Sequence, residues 1–286
     1  MAIWVAIVLG AVQGIFMFLP VSSTAHLVLV QHWLIGRGEN LPAPESPEMI
    51  LFDLVVHVGT LVSIVVVFRH SLRPFVQQCI QGALAWAGQP GGQLPLAVRL
   101  LLLGMFSVLI TGLLGLSLRA MFEQVFATPM LIGLTLILTG ILLLWTDLLP
   151  RRRRGLRQIR WPVAGLIGAA QGFALMPGLS RSALTIVFAL FTGLKRRWAA
   201  EYSFFLAIPT ILAATAVQSL EVFSADGLGG VGLPALAAGF VTAALVGIVA
   251  LRLVLFLLYR ARLAVFSVYV WGLAALILTG TLDLPY

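Results

Sequence analysis

Six apolar runs of roughly 19 residues, the length a helix needs to cross a bilayer, dominate this chain. They lie near 50–68, 100–118, 130–148, 201–218, 232–251 and 263–282. None holds a Lys or Arg, and none holds more than one acidic residue, the pattern that identifies spanning segments. Composition agrees, with 60% hydrophobic and 10% charged residues in 286, too little polar surface to cover a soluble domain of that length. The apolar start is not a cleaved signal, because it lacks a basic n-region and functional-looking polar residues follow at once. The chain reads as an all-α polytopic membrane protein.

A net charge of +8 invites a nucleic-acid partner, but its distribution excludes one. The basic residues gather in short connections: Arg69, Arg73 and Arg99; Arg151 to Arg154 with Arg157 and Arg160; Lys195, Arg196 and Arg197; Arg252, Arg260 and Arg262. Acidic residues mark the alternate connections: Glu39, Glu45 and Glu48, then Glu123, then Glu221 and Asp226, with Asp283 at the tail. Basic loops face the cytoplasm, so this charge encodes orientation. Cys79 is the only cysteine, which excludes an internal disulfide and a cysteine metal cluster.

Two further apolar stretches are broken. The first reads Gly10-Ala-Val-Gln13-Gly14, then Pro20-Val-Ser22-Ser23-Thr24-Ala25-His26. The second reads Gly168-Ala-Ala-Gln171-Gly172, then Pro177-Gly178-Leu179-Ser180-Arg181-Ser182-Ala183. Gly, Ala, Gln, Gly, Pro and Ser recur in order, a signature of internal repetition. Each run is interrupted by Pro and a hydroxyl cluster after about half a span, and such backbone survives only where protein or a watery cavity satisfies it. We read 2–35 and 162–194 as re-entrant hairpins, each followed by three spans. That arrangement puts every basic cluster on one side, and a full crossing by either hairpin would reverse the later loops. The expected architecture is therefore two inverted repeats, 1–150 and 151–286, with the C-terminus outside.

Ionisable residues at membrane depth are functional candidates. They are His26, His57, Arg181, Asp53 and Glu201, of which Asp53 and Glu201 open the first span of each half. Arg181 stands between Ser180 and Ser182, just before a renewed helix. Unpaired amides at a helix N-terminus suit a phosphate, and a guanidinium adds a bidentate anchor. Ser22, Ser23, Thr24 and His26 form the matching half. Two such N-termini aimed at the bilayer interior predict an anion site suited to a diphosphate on a lipid tail.

At these residues the chain resembles the undecaprenyl-diphosphate phosphatase family, the bacitracin-resistance type of integral membrane enzyme. The resemblance runs through Gln13-Gly-Ile-Phe-Met-Phe-Leu-Pro-Val-Ser-Ser-Thr-Ala-His26, Phe52-Asp-Leu-Val-Val-His-Val-Gly-Thr60, Pro177-Gly-Leu-Ser-Arg-Ser182 and Glu201-Tyr-Ser-Phe-Phe-Leu-Ala-Ile-Pro209. It implies hydrolysis of a polyprenyl diphosphate carrier lipid of cell-wall synthesis in the bacterial inner membrane. It implies Ser23 as attacking group, His26 as acid or base and Arg181 as phosphate clamp. Gln13, Ser22, Thr24, Ser180, Ser182, Glu201, Asp53 and His57 are expected around the substrate. The family's first motif carries two glutamates four residues apart and is metal-assisted by Mg²⁺ or Ca²⁺. Gln13 and Met17 stand at those positions here. Met17 can neither take a proton nor ligate a hard cation, and losing a working carboxylate costs roughly 3–6 kcal/mol in the barrier. This departure sets a second expectation beside hydrolysis: a protein that binds or translocates polyprenyl phosphate without cleaving it. A homodimer is compatible with either.

Overall fold

A computed structural model describes residues 1–43, 46–88, 93–118, 121–122, 128–176, 178–224 and 231–281. Pro177 and the acidic Glu45, Glu123, Asp226 and Asp283 lie outside the described residues, as does the side chain of Glu221. The described residues form eleven α-helices in the order α1 Ile3–Phe16, α2 Ser23–Gly36, α3 Pro47–Val67, α4 Arg69–Gly88, α5 Leu96–Ser117, α6 Pro129–Leu148, α7 Trp161–Phe173, α8 Arg181–Phe191, α9 Arg196–Ser224, α10 Leu233–Tyr259 and α11 Ala264–Leu278.

Five of these helices, α3, α5, α6, α9 and α10, are long and apolar enough to cross a membrane. Their outer faces expose Leu109, Leu113, Leu116, Leu245 and Val249, which only lipid can accommodate. The chain is a multi-span membrane protein. The sixth predicted run forms α11, whose 15 residues extend about 22 Å at 1.5 Å per residue, and which packs along α6. The two broken runs form the helix pairs α1–α2 and α7–α8. Their helices, of 14, 14, 13 and 11 residues, are each too short to span.

Helix starts follow local chemistry. Ser46 caps α3 by accepting from the Met49 amide, with Pro47 in the first turn. The 69–99 connection, read from sequence only as a basic loop, instead contains the 20-residue α4. None of its side chains is buried. Leu72, Val76, Ile80 and Leu84 recur every fourth residue and form an apolar stripe, a pattern suited to the membrane interface.

The small residues of the broken runs set the tertiary packing. Helix α1 lies along α10, and α7 lies along α5. A Cβ on Gly10 would sit 2.5 Å from the Gly239 carbonyl oxygen, and one on Gly168 would sit 2.5 Å from the Ser107 carbonyl oxygen. Backbone meets backbone there, the close approach that small residues permit between membrane helices.

Candidate active site

The two hairpin tips meet. After α1 the chain turns through Met17–Val21, where the Val21 amide bonds the Leu19 carbonyl at 2.8 Å. Ser22 then takes φ 70° and ψ 91°, a conformation costly for a residue with a side chain, and α2 begins at Ser23. The Ser22 side chain makes no capping bond. In the second hairpin Gly178 supplies φ 80°, and its carbonyl accepts from Thr139 at 3.1 Å, tying this tip to α6. Ser180 caps α8 by accepting from the Ala183 amide. The Ser182 hydroxyl donates to the Phe18 carbonyl at 3.3 Å, joining one tip to the other.

Between the tips lies a cavity of about 60 Å³. Ser22, Ser23 and Thr24 line it from one side and Ser180, Arg181 and Ser182 from the other, closed by Phe16, Met17, Ala174 and Leu179. Both terminal guanidinium nitrogens of Arg181 are buried and lack a hydrogen-bond partner within the protein. A buried unpaired cation is costly, so this arrangement makes chemical sense only with an anion beside it. The amide-bearing N-termini of α2 and α8 add partial positive charge at the same place.

The remaining predicted residues lie behind or away from this cavity. The His26 ring stacks on Phe16 at 3.8 Å between centroids and does not line the cavity. Its Nδ1 lies 2.7 Å from the Ser22 carbonyl oxygen and its Nε2 lies 2.6 Å from the Tyr269 hydroxyl. Gln13 is fully buried, its amide nitrogen 3.6 Å from the Met17 sulfur. Asp53 accepts from Gln31 at 3.2 Å, and the Asp53 carbonyl accepts from His57 Nδ1 at 2.7 Å. His57 lies within electrostatic reach of Arg181. Glu201 is separate: it pairs with Arg197 at 3.0 Å and borders a larger apolar cavity of about 220 Å³, beside Tyr202 and Phe205.

A model of the family described as bacitracin resistance protein BacA matches residues 6–276. The chain belongs to the BacA family. It is 67% identical over 287 residues to an undecaprenyl-diphosphatase of Halorhodospira halophila, covering 100% of both chains. It is 68% identical over 285 residues to one of Alkalilimnicola ehrlichii, covering 99% of this chain and 98% of that one. A third, from Carboxydothermus hydrogenoformans, is 38% identical over 275 residues, 96% of this chain and 95% of the relative.

The side chains that line the cavity of this BacA chain include no carboxylate. Its lining offers hydroxyls, a thioether and a guanidinium, whereas Mg²⁺ and Ca²⁺ are held by carboxylate and carbonyl oxygens. Among the described residues no three His, Cys, Asp or Glu side chains group to hold a metal. The nearest structural kin of Gln13 is Gln171, at the same place in the second broken run. It too is fully buried, donating to Thr111 at 3.0 Å and to Thr210 at 2.9 Å. Sequence reasoning missed Tyr269 and Gln31. Tyr269 lies in an apolar run with no motif around it, and Gln31 carries no signal beyond being a polar residue in a hairpin helix.

Proposed function

We propose that this chain hydrolyses undecaprenyl diphosphate to undecaprenyl phosphate and inorganic phosphate. The observation that carries the reading is the buried, unpaired Arg181 sharing one cavity with five hydroxyl residues from the two hairpin tips. The full-length relatives that bear the name undecaprenyl-diphosphatase favour cleavage over binding alone.

The terminal phosphoryl group sits against the Arg181 fork, with Ser180, Ser182 and the α8 amides on its oxygens. The Ser23 oxygen attacks phosphorus in line, the bond to the bridging oxygen breaks, and undecaprenyl phosphate leaves. Water then cleaves the phosphoseryl ester and releases phosphate. Transfer of this kind runs through a loose transition state, so positioning and charge stabilisation carry more of the rate than a strong base does. The nucleophile's proton passes late to a phosphoryl oxygen, which fits a site whose lining holds no carboxylate. The reciprocal packing of α1 on α10 and α7 on α5 supports two inverted repeats, and the basic connections support a bacterial plasma membrane protein with its C-terminus outside.

The test is phosphate release by the purified protein in detergent, with added Mg²⁺ or Ca²⁺ and with EDTA. Release that persists in EDTA is the expected outcome. A purified protein that binds undecaprenyl phosphate but releases no phosphate under any of these conditions would overturn the reading and leave a carrier-lipid binder or transporter. Ser23→Ala should lower release roughly 10²–10⁴-fold, the span typical of groups that take part in the chemical step. The paired change Gln13→Glu with Met17→Glu should make release respond to Mg²⁺ or Ca²⁺, since it brings oxygen ligands to the cavity wall at Met17. Cation titration of wild type and variant side by side checks this.

A further inference from the structure

Tyr269 belongs to none of the motifs above. It stands on α11, 243 residues from His26, yet its hydroxyl lies 2.6 Å from His26 Nε2. The other ring nitrogen of His26 lies 2.7 Å from the Ser22 carbonyl oxygen. A carbonyl can only accept, so Nδ1 carries the proton, Nε2 offers its lone pair, and Tyr269 donates. Phe16 covers one face of the ring at 3.8 Å with an interplanar angle of 15°. His26 is therefore held at both nitrogens and one face. What it holds in turn is Ser22, the residue whose φ of 70° is disfavoured for a side-chain-bearing residue.

Ser22 is also the residue on which the entry into α2 depends. With no capping bond of its own, its backbone alone aims the first turn of that helix, with Ser23 and Thr24, at the cavity shared with Arg181. We propose that Tyr269 is a positioning residue of the phosphate site. Acting through His26, it holds Ser22 in the left-handed conformation that points Ser23 at the phosphoryl group. The inference rests on the hydrolase reading for the identity of the reaction. It adds that a residue of the last helix, which does not itself line the cavity, sets the geometry of the attacking hydroxyl.

A hydroxyl removed from a merely structural contact lowers stability and leaves turnover per folded molecule unchanged. The latch predicts otherwise. Tyr269→Phe keeps the ring and should lower kcat about 10- to 100-fold, since small misplacements of a reacting group have effects of that size. KM should stay within about twofold, because the loss falls on the transition state. Ser22→Gly supplies the decisive comparison, as glycine takes positive φ without strain. Although it removes one cavity hydroxyl and slows the enzyme by itself, adding Tyr269→Phe to it should cost no more than about threefold, a non-additivity expected of coupled residues. Vanadate, a trigonal mimic of the transferring phosphoryl group, gives a readout independent of turnover. Its protection of the protein against heat should be lost in Tyr269→Phe and return in the double variant.

Equal fold losses from Tyr269→Phe in the Ser22 and Gly backgrounds would overturn the latch. So would an unchanged kcat with a lowered Tm. A wild type that releases no phosphate but is protected by vanadate would sink the hydrolase reading while the vanadate comparison still decides the latch. A wild type showing neither overturns both.

Discussion

Arg181→Ala is expected to abolish most phosphate release, by roughly 10²–10³-fold or more, while leaving the folded protein as stable as wild type or more so. The first half follows from charge. Phosphoryl transfer concentrates negative charge on the oxygens beside Arg181, and a single preorganised donor of this kind carries about 2.7–4 kcal/mol of transition-state stabilisation. The second half follows from burial. Both terminal nitrogens of Arg181 are buried without a partner in the protein, so the side chain opposes folding until an anion arrives. Removing it relieves that cost. Arg181→Met keeps most of the volume and should raise Tm in detergent while silencing the enzyme. Arg181→Lys keeps the charge but not the planar fork, and should fall between wild type and alanine. Phosphate release and thermal unfolding, measured on the same preparations, check both halves. A variant that loses activity and stability together would mean that Arg181 holds the hairpins together rather than the substrate.

The same chemical change at two glycines should move stability in opposite directions. At Gly10 a methyl group would meet the Gly239 carbonyl oxygen at 2.5 Å and the Gly239 Cα at 3.0 Å. Those atoms are backbone in the second turn of α10 and cannot step aside, so α1 must move off α10. Overpacking of this kind costs about 1–3 kcal/mol, and more where only backbone can yield. Gly10→Ala should therefore lower Tm and disturb the hairpin that carries Ser22 and Ser23. At Gly112, inside the C-terminal half of α5, nothing lies within 4 Å of the added carbon. Gly112→Ala should raise Tm slightly, since alanine is favoured in a helix interior by up to about 1 kcal/mol. Thermal unfolding of the two variants in one detergent is the measurement. A Tm unchanged by Gly10→Ala would mean that α1 and α10 are less tightly apposed than the structure places them.

Much of the site was legible because its signals are local. The order of Pro and hydroxyls after Gln13-Gly14 and after Gln171-Gly172 marks two broken helices, and Ser180 and Ser22 are where a helix must restart. Arg181 stood out because a charge at membrane depth needs a reason. Ser22, Ser23, Thr24, Ser180, Arg181 and Ser182 do share one cavity. Two residues stand in surroundings that the sequence did not signal, one paired on its own helix and one with a distant partner. Glu201 matches Asp53 in sequence position, yet it pairs with Arg197 and faces another cavity. His26 looks like a free acid or base, but a tyrosine 243 residues away takes its second nitrogen. Helix α4 was hidden for a different reason. Its polar residues and basic start resemble a loop, and its helical period only gains meaning once α5 lies against it.

The sequence by itself determined that this chain crosses a membrane several times, that two apolar runs are broken after about half a span, and that an arginine flanked by hydroxyls stands where a helix restarts. Those properties follow from hydropathy over about 20 residues and from backbone rules over four or five. Only the tertiary structure decided that the two restarts face each other across one small cavity, that Tyr269 and not the cavity engages His26, and that the glutamate of the second half stands apart. The placement of the hairpins rests on glycines that let α1 meet α10 and α7 meet α5 backbone to backbone, contacts between segments far apart in the chain that no local pattern encodes.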